Sequence, residues 1–390
     1  MLTLSASTVV HAAGHGLPVL WHAACQSRSG LQPNALPWCS LDTWIGAVPG
    51  VDDVRLPAEL ARWDCRNHRL VWMALHDPAF SRAVQAVRQR HGAHRVGVVL
   101  GTSTSGVRNT EQVHDLRYSQ GRWPEDFSLR NVHTSDALAR FCARVLDLGG
   151  PMATLSTACS SSAKVFLVAE RWIRAGLIDA AIVGGADSLC LSTLHGFHGL
   201  QLLSNRVCRP FDARREGISI GEAAGFALLT RDPGELHFAG GAESSDAYHM
   251  SSPHPEGLGA AQAMHAALQS AGIGPAQIGY VNAHGTATPA NDRAEAAALV
   301  SVFGQCGVPV SSTKGITGHT LGACGIVEAL LTAEALRRQI LPPSANLEQP
   351  DPGLCLDLVT SPRQTRMTHA MSNNFGFGGS NCSLIFSGDF

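Results

Sequence analysis

One cysteine of this chain stands where its sulfur could act as a nucleophile. Cys159 lies in TACSSSA, after a strand-like run at residues 152–157 and before a helical pattern that ends near Gly176. The N–H groups and dipole at a helix start favour an anion, so we predict a thiol drawn toward thiolate. Its neighbours are small and leave room for an acyl group. The alternative is a buried structural cysteine, because the chain has eleven cysteines.

Two histidines in separate glycine-containing loops are candidates to act with this thiol. His284 follows an apolar run in NAHGTATPAND, and His319 lies in STKGITGHTLGACG with Lys314, before Glu328 on the next helix. A pair of imidazole donors can stabilise negative charge that develops on a carbonyl oxygen. An isolated histidine is more often structural, and the chain has 18. Lys314 and Lys164 are the only lysines among 29 basic residues, which indicates a position that arginine cannot fill.

Two further loops are built from small residues. NNFGFGGSN places Phe375 and Phe377 among glycines, which let a loop move an aromatic ring and turn its N–H groups toward a ligand. GTSTSG, residues 101–106, has no reactive group of its own. Each of these loops follows a predicted strand, and open α/β sheets bind ligands at the carboxyl ends of their strands. We therefore expect the loops to converge on one site.

The remaining sequence must supply the elements that position these loops. Apolar runs such as VGVVL and AAIVGGADS are typical of buried strands, and residues 258–271 have the pattern of an amphipathic helix. This alternation occurs twice, which predicts largely parallel sheets covered by helices. We predict an α/β fold of two similar halves in α-β-α-β-α layers. Residues 1–235 would carry the cysteine and residues 236–390 the two histidines and the phenylalanine–glycine loop, while residues 108–130 would form a surface excursion.

The composition excludes several classes of protein. The chain is 45% hydrophobic and 15% charged, with 40 glycines, which suits an enzyme with a large interior. A formal net charge of −2 predicts no nucleic-acid or membrane partner, and no window approaches the roughly 20 apolar residues of a membrane span. The cysteines form no CxxC pairs or Cys/His clusters, and the N-terminus lacks a signal-peptide pattern. We therefore expect no metal site and a reducing, cytoplasmic location.

Together these segments resemble the β-ketoacyl-acyl carrier protein synthases, in the elongating type I/II branch of the thiolase superfamily. The resemblance extends from about residue 96 to the C-terminus, and the first ninety residues match more loosely, mainly in AACQSRSGL. The matching segments are GTSTSG, TACSSSA, RPFDARREG, SSDAYHMSSP, HGTATPAND, KGITGHTLGACG and NNFGFGGSN. The resemblance implies a thiolase-like fold and an acyltransferase, 3-oxoacyl-[acyl-carrier-protein] synthase, in fatty acid, polyene or polyketide chain elongation.

The resemblance also implies a role for each reactive residue. Cys159 would accept the acyl chain from a phosphopantetheine thioester. His284 and His319 would hydrogen-bond the malonyl thioester carbonyl while carbon dioxide leaves. Lys314 would pair with Glu328 and support His319.

The other implied contacts involve the backbone and the substrate arm. The N–H groups of Cys159 and Phe377 would form an oxyanion hole, and Phe377, in the loop with Phe375, would also gate the acyl tunnel. Thr286 and Thr288 would bind the pantetheine arm. The family needs no metal or redox cofactor, because its substrates arrive on the phosphopantetheine of acyl carrier protein.

The implied partners are acyl carrier protein and a second subunit, in a homodimer or in a heterodimer with a ketosynthase-like chain. Docking of the carrier normally uses lysines, and here arginines such as Arg66, Arg69 and Arg130 would have to serve.

Three alternatives share parts of these patterns. A chain-length-factor-like partner of another ketosynthase would lack the reactive cysteine, so Cys159 disfavours it. A non-decarboxylating thiolase would carry a second active cysteine in its last glycine loop, but Cys382 falls after SN, away from the thiolase position, and the second histidine motif also disfavours it. A nucleotide-binding module is disfavoured because no GxGxxG follows a first strand with an acidic residue downstream.

Overall fold

The computed structural model describes residues 1–125, 127–388 and 390. The strands of the first half are β1 (Leu2–His11), β2 (Gly14–His15), β3 (Gln32–Pro33), β4 (Trp44–Gly46), β5 (Val96–Gly101), β6 (Met152–Leu155), β7 (Ala180–Asp187), β8 (Ile220–Gly221) and β9 (Ala223–Thr230). Those of the second half are β10 (Leu236–Ser245), β11 (Ile278–Asn282), β12 (Pro309–Ser311), β13 (Ile340–Leu341), β14 (Asp357–Leu358), β15 (Arg363–Gln364), β16 (His369–Gly376) and β17 (Ser380–Gly388).

The α-helices alternate with these strands along the chain. They are α1 (Leu17–Cys25), α2 (Arg66–Leu75), α3 (Pro78–His91), α4 (Val107–Gln120), α5 (Leu129–Val132), α6 (Ala137–Leu146), α7 (Ser161–Arg174), α8 (Leu191–Gly199), α9 (Leu258–Ala271), α10 (Pro289–Phe303), α11 (Lys314–Thr317) and α12 (Cys324–Arg338). Among the described residues, none of these helices combines the length and the apolar character that a bilayer-spanning segment requires.

The two halves repeat one pattern of strand pairing. In the first half the order is β6-β5-β7-β9-β1, and in the second it is β12-β11-β16-β17-β10. In each order the first three strands run parallel to one another, and the fourth and fifth each run antiparallel to the strand before them. The two sheets join where β1 pairs with β10, and both are mixed, although the sequence predicted largely parallel sheets. In the second half the cause is a short turn between β16 and β17, which can join only antiparallel neighbours.

The helices lie in three layers around these sheets. α7 and α12 pack against each other in the centre, where α7 covers β5 and β7 and α12 covers β16 and β17. α2, α3 and α6 cover the outer face of the first sheet, and α9, with α10 beside it, covers the second. Three hydrophobic clusters fill the spaces between the layers. The predicted α-β-α-β-α layering and the thiolase-like fold are confirmed, while the division at residue 235 stays a prediction.

The contact between α7 and α12 brings the two halves of the site together. Residues 324–336 of α12 are all buried, because this helix lies between two sheets. Both helices start with small residues, and a Cβ on Gly325 would lie 2.5 Å from the backbone nitrogen of Ala163. Only glycine allows this approach, so the two helix starts, and the loops before them, come close to each other.

One helix was not predicted from the sequence. Residues 107–120, nearly all within the predicted surface excursion of residues 108–130, form α4, which is mostly exposed and is followed by Gly121 with a φ of 75°. Its polar sequence gives a weak helical pattern, because only its first two turns, with Arg108, Thr110 and Val113, are buried. Tertiary contacts at that end of the helix, and not apolar periodicity, hold it in place.

Candidate active site

Cys159 lies between the end of β6 and the start of α7, as its sequence context predicts. The residue before it, Ala158, has a φ of 52°, in the left-handed region that residues with a Cβ rarely adopt. Ser161 holds this bend, because its Oγ accepts a hydrogen bond from Thr157 N–H at 2.9 Å and donates one to the Ala158 carbonyl at 2.6 Å. The bend allows Cys159 to line a cleft between the two halves.

His319 lies against the sulfur of Cys159. Its Nε2 is 3.0 Å from the Cys159 Sγ, and its Nδ1 accepts a hydrogen bond from Leu321 N–H at 3.2 Å. Because Nδ1 accepts, the neutral ring carries its proton on Nε2, toward the sulfur. Burial and the charge of Lys314 lower the pKa of His319 well below its ordinary value. His319 is therefore a neutral hydrogen-bond donor facing the cleft and not a base for the thiol.

His284 is held in the same tautomer by a different group. Lys314 Nζ lies 3.2 Å from His284 Nδ1, and an ammonium can only donate, so His284 also carries its proton on Nε2. Burial, Lys314 and His319 lower the pKa of His284 well below its ordinary value. The rings of His284 and His319 are 5.3 Å apart between centroids and nearly perpendicular, at 86°. The cleft thus has two neutral imidazole donors side by side.

Lys314 belongs to a buried polar group behind these rings. Its ammonium pairs with the Glu328 carboxylate, and the Asn374 side-chain amide donates to the other oxygen of Glu328. Burial by itself lowers the pKa of Lys314, but Glu328, Cys324 and Glu295 together outweigh burial and the pKa is raised. The expected pairing of Lys314 with Glu328 is present. The ammonium contacts His284 directly. The sequence led us to expect Lys314 behind His319, and its charge does lower the pKa of that ring.

The glycine loop between β16 and β17 lies against the nucleophile. Gly378 has a φ of 77° and Gly379 a φ of 73°, which suits glycine and lets the chain turn in three residues. The backbone N–H of Phe377 acts on the Cys159 sulfur in the direction that lowers the pKa of its thiol. A Cβ on Gly376 would lie 3.1 Å from the Cys159 nitrogen, so a larger residue would push the loop away.

The two phenylalanines of this loop lie on different sides of the site. The Phe377 ring contacts the ring of Phe197 on α8, with centroids 5.3 Å apart. Phe375 is buried, and its ring centroid is 6.1 Å from that of His284. Phe377 therefore faces the apolar side of the cleft and Phe375 packs beside a histidine.

The thiol of Cys159 does not show the lowered pKa that its position before a helix suggests. Burial raises the pKa of Cys159 to about 11, and the charge of Lys314 and the Phe377 N–H oppose this rise only in part. Desolvation therefore outweighs the helix start, and the sulfur is a thiol at neutral pH. This part of the sequence prediction is wrong.

The cleft itself has a volume of about 670 Å³, part of it open to solvent, and two unlike walls. Thr286, Thr288 and Asn291 form a polar wall, and the two threonine hydroxyls lie 2.9 Å apart. Apolar side chains also line the cleft, among them Phe197, Leu202 and Ile218, and we call this set the apolar wall. The sequence-derived candidates that line this one cleft are Cys159, His284, His319, Thr286, Thr288, Phe375 and Phe377.

The three reactive residues are also close enough to be considered as metal ligands. The sulfur of Cys159 and one nitrogen each of His284 and His319 lie within 4.8 Å of one another, a spacing that a tetrahedral ion could reach after small movements. A metal would need an unprotonated nitrogen facing the cleft, but the donors at both Nδ1 atoms keep the protons on Nε2. The ammonium of Lys314 adds repulsion. The hydrogen bonds of this site therefore oppose a metal ion.

Several residues that support the site were not predicted from the sequence. Glu295 accepts hydrogen bonds from the backbone N–H groups of His284 and Gly285, both at 2.7 Å, and burial raises its pKa to about 8. Asp187 accepts from the GTSTSG loop, and Cys324 donates its S–H to the Cys159 carbonyl at 3.1 Å. The only signal in the sequence is that each lies in or just after a motif. Whether its side chain turns inward depends on the fold.

The arginines proposed for carrier docking differ in accessibility. The side chain of Arg66 is 9% exposed and pairs with the buried Glu222 at 2.6 Å, so it is not available on the surface. Arg69 is paired with Asp64 at 2.7 Å, and Arg130 is exposed. The prediction is wrong for Arg66, because a buried carboxylate needs this cation as its partner.

The layered fold and the cleft with a cysteine and two histidines define a condensing enzyme of the thiolase-like class. Residues 67–233 match the family described as "Beta-ketoacyl synthase, N-terminal domain", and residues 203–348 match "Beta-ketoacyl synthase, C-terminal domain". The chain belongs to the β-ketoacyl synthase family, whose members are acyltransferases.

Two named relatives agree with this assignment. The chain is 39% identical over 316 residues to "3-oxoacyl-[acyl-carrier-protein] synthase 2" of Vibrio cholerae, covering 75% of this chain and 76% of the relative. It is 32% identical over 413 residues to the protein of that name from Coxiella burnetii, covering 97% and 96%.

Solved structures cover the full chain. A ketosynthase from Xenorhabdus doucetiae, in complex with its chain length factor, is 38% identical with a TM-score of 0.89, covering 100% of this chain and 98% of that one. A beta-ketoacyl synthase from Burkholderia phymatum is 29% identical with a TM-score of 0.88, covering 100% and 99%.

Proposed function

We propose that this protein is a 3-oxoacyl-[acyl-carrier-protein] synthase, which lengthens an acyl chain by decarboxylative Claisen condensation. The observation that carries the proposal is that Cys159 Sγ and two imidazoles, both with Nε2–H donors, meet in one cleft. Relatives named 3-oxoacyl-[acyl-carrier-protein] synthase 2 support it at 32–39% identity. The pathway would be fatty acid, polyene or polyketide chain elongation.

In the first half-reaction the acyl chain moves to Cys159. The sulfur attacks the thioester carbonyl of an acyl phosphopantetheine, the bond to the pantetheine sulfur breaks, and that sulfur leaves with the proton that the Cys159 thiol gives up. The N–H groups of Cys159 and Phe377 would hold the oxyanion of the tetrahedral intermediate. The glycine loop lies against Cys159, with a Cβ built on Gly376 only 3.1 Å from the Cys159 nitrogen, which supports this placement.

In the second half-reaction the two histidines act on the malonyl thioester. Its carbonyl oxygen would accept hydrogen bonds from His284 Nε2 and His319 Nε2. When the bond to the carboxylate breaks and carbon dioxide leaves, the electron pair forms an enolate whose charge these donors stabilise. The enolate carbon then attacks the acyl carbonyl, the bond to the Cys159 sulfur breaks, and the departing thiolate takes up a proton from solvent. The 3-oxoacyl product stays on the carrier.

The walls of the cleft support a substrate with one polar and one apolar part. Thr286 and Thr288 would hydrogen-bond the pantetheine arm along the polar wall. The acyl chain would lie along the apolar wall, where Phe377 would act as its gate. No metal takes part in these steps, and Lys314 with Glu328 would keep His284 in its donor tautomer.

The proposed partners are an acyl carrier protein and a second ketosynthase-like subunit, in a homodimer or a heterodimer. In the described residues β6 pairs with β5 on one side only, and Met152 on it is 46% exposed. An open strand edge of this kind is suited to pairing with another chain. The relative from Xenorhabdus doucetiae was solved with its chain length factor.

Two further parts of the proposal concern organisation and location. We place the boundary between the two thiolase-like halves at residues 235 and 236, where β9 has ended and β10 begins. We also propose a cytoplasmic location. All eleven cysteines are free thiols, which suits a reducing compartment.

The test of the function is mass spectrometry of the intact protein and its peptides after incubation with acyl carrier protein loaded with an acyl group, followed by malonyl carrier. We expect an acyl adduct on Cys159 and a 3-oxoacyl product that is two carbons longer. Cys159→Ala should abolish both, whereas the matched variant Cys324→Ala should retain the adduct. An adduct on another cysteine in Cys159→Ala would contradict the assignment of Cys159 as the nucleophile. If the unmodified protein formed no adduct with any acyl donor, the proposed function would be wrong.

A further inference from the structure

The apolar wall of the cleft depends on a short helix with little packing of its own. Of the nine residues of α8, Leu194 is the one that is buried. Phe197, on the next turn, lines the cleft and contacts the Phe377 ring at 5.3 Å between centroids. A small shift of α8 would therefore change the space between these two rings, and something other than burial must fix the helix.

The anchor of α8 comes from another helix. Its own N-cap residue, Cys190, makes no side-chain cap hydrogen bond. Glu111 of α4 instead accepts hydrogen bonds from Leu191 N–H at 3.0 Å, Ser192 N–H at 2.7 Å and the Ser192 hydroxyl at 2.7 Å. The first N–H groups of a helix lack partners within it, and a carboxylate at this end also interacts favourably with the helix dipole.

Glu111 is itself held in place by neighbours. Arg108, one turn earlier on α4, donates to its carboxylate at 3.3 Å, and the Arg108 guanidinium lies 4.1 Å from the centroid of the Trp38 ring. The side chains of Arg108 and Glu111 are 9% and 14% exposed, so solvent screens this pair only weakly. Glu111 is thus preorganised toward α8.

We propose that Glu111 is a positioning residue that sets acyl-chain selectivity. By fixing the start of α8 it fixes Phe197 opposite Phe377, and so the width of the space for an acyl chain on Cys159. Glu111 lies outside the residues that line the cleft and takes no part in bond making. The inference rests on the proposed function, because it concerns which acyl groups reach Cys159.

A structural role alone would have a different signature. If Glu111 only stabilised the fold, its loss would lower the reaction with every acyl donor by one common factor. If it positions Phe197, its loss changes the ratio between short and long acyl donors. The ratio of kcat/KM for two donors therefore separates the two roles.

The experiment compares Glu111→Ala and the milder Glu111→Gln with Asp115→Asn, an exposed acid on the same helix. Acylation of Cys159 by acetyl and octanoyl phosphopantetheine carriers gives the kcat/KM ratio, and hydrogen exchange reports on the amides of α8. In Glu111→Ala we expect exchange at residues 191–194 to rise by about twofold to thirtyfold, the range that corresponds to a lost helix cap. The acetyl-to-octanoyl ratio should shift, and by less in Glu111→Gln than in Glu111→Ala.

Each outcome decides the proposal. Faster exchange in α8 together with a shifted ratio, both absent in Asp115→Asn, supports it. Unchanged exchange in α8, or an equal loss with both donors, overturns it. If Glu111→Ala does not fold, Glu111→Gln gives the same two readouts. Failure of the proposed function would appear separately, as no acylation of Cys159 in the unmodified protein.

Discussion

Lys314 Nζ lies 3.2 Å from Nδ1 of His284, inside a fully buried site. This single contact decides which nitrogen of His284 carries the proton, because an ammonium has no lone pair to offer. The backbone N–H of Leu321 does the same for His319. As a result both rings present an Nε2–H toward the cleft, and this arrangement is suited to binding a developing oxyanion.

Replacing Lys314 tests this relationship. In Lys314→Met we expect malonyl decarboxylation to fall by about 10² to 10³, the effect of losing one oxyanion donor. The free energy of unfolding should fall by about 3–5 kcal/mol, because Glu328 is left buried and unpaired. Decarboxylation is measured by release of carbon dioxide from malonyl carrier, and stability by urea unfolding.

A double variant separates the two effects of this change. Lys314→Met with Glu328→Gln removes the unpaired charge, so stability should recover while decarboxylation stays low. Recovery of decarboxylation in the double variant would show that His284 does not need the ammonium.

Replacing His319 tests the division of labour between the two half-reactions. His319→Ala removes a donor but no base, since its Nε2 carries the proton that faces Cys159. We expect acyl-enzyme formation to survive and decarboxylation to fall by about 10² to 10³. Mass spectrometry of the acyl-enzyme and carbon dioxide release measure the two steps separately. An equal loss of both steps would argue against the assigned role.

The rate of alkylation of Cys159 reports whether burial or the helix start governs its thiol. Because burial raises the pKa of Cys159 to about 11, the thiolate fraction should rise about tenfold per pH unit across the neutral and mildly basic range. Peptide-resolved alkylation by iodoacetamide measures this rate, with the exposed Cys306 in the same sample as a reference. A plateau below pH 8 would mean that the thiol pKa is low and the helix start dominates.

Asp212 gives the fold a defined pH dependence. Burial by itself would raise the pKa of Asp212, but hydrogen bonds from the Arg214 guanidinium and from the N–H groups of Arg214, Glu348 and Gln349 lower it to about 2. A lowered carboxyl pKa stabilises the folded state above the unfolded value of about 3.9, by about 2 kcal/mol. This contribution is lost as the pH falls from about 4 to about 2.

Asp212→Asn should therefore lower the free energy of unfolding at pH 7, and the difference from the unmodified protein should shrink as the solution is acidified. Urea unfolding at a series of pH values measures it, and the exposed Asp115→Asn is the control. A difference that stays constant with pH would contradict the lowered pKa.

Local patterns predicted most of the elements but not all of them. The helix at residues 258–271 begins and ends where its periodicity indicates, and β5 and β7 coincide closely with their apolar runs. α4 was missed, because contacts at one end stabilise a polar helix that has little periodicity of its own. The sequence predicted largely parallel strands. β16 and β17 are antiparallel, because the turn that joins them is only three residues long.

The candidate site was also predicted only in part. Residue types, order and spacing indicated Cys159, His284 and His319 and the loops that carry them. The contact of Lys314 with His284 was not predicted, because a turn of glycines does not reveal which ring an extended side chain will reach. The burial of Arg66 depends on Glu222, 156 residues away, and no local pattern reports such a pair.

The amino-acid sequence by itself determined the strand–loop–helix junction at Cys159, the glycine loops and the family to which the chain belongs, because these depend on residue types at short spacing. Only the tertiary structure decided that α7 and α12 meet, that both imidazoles point Nε2–H at one cleft, and that the thiol pKa rises. The tautomers depend on which donor packing places at each Nδ1, and the thiol pKa depends on desolvation and on Lys314 and Phe377, which lie more than a hundred residues from Cys159 in the chain.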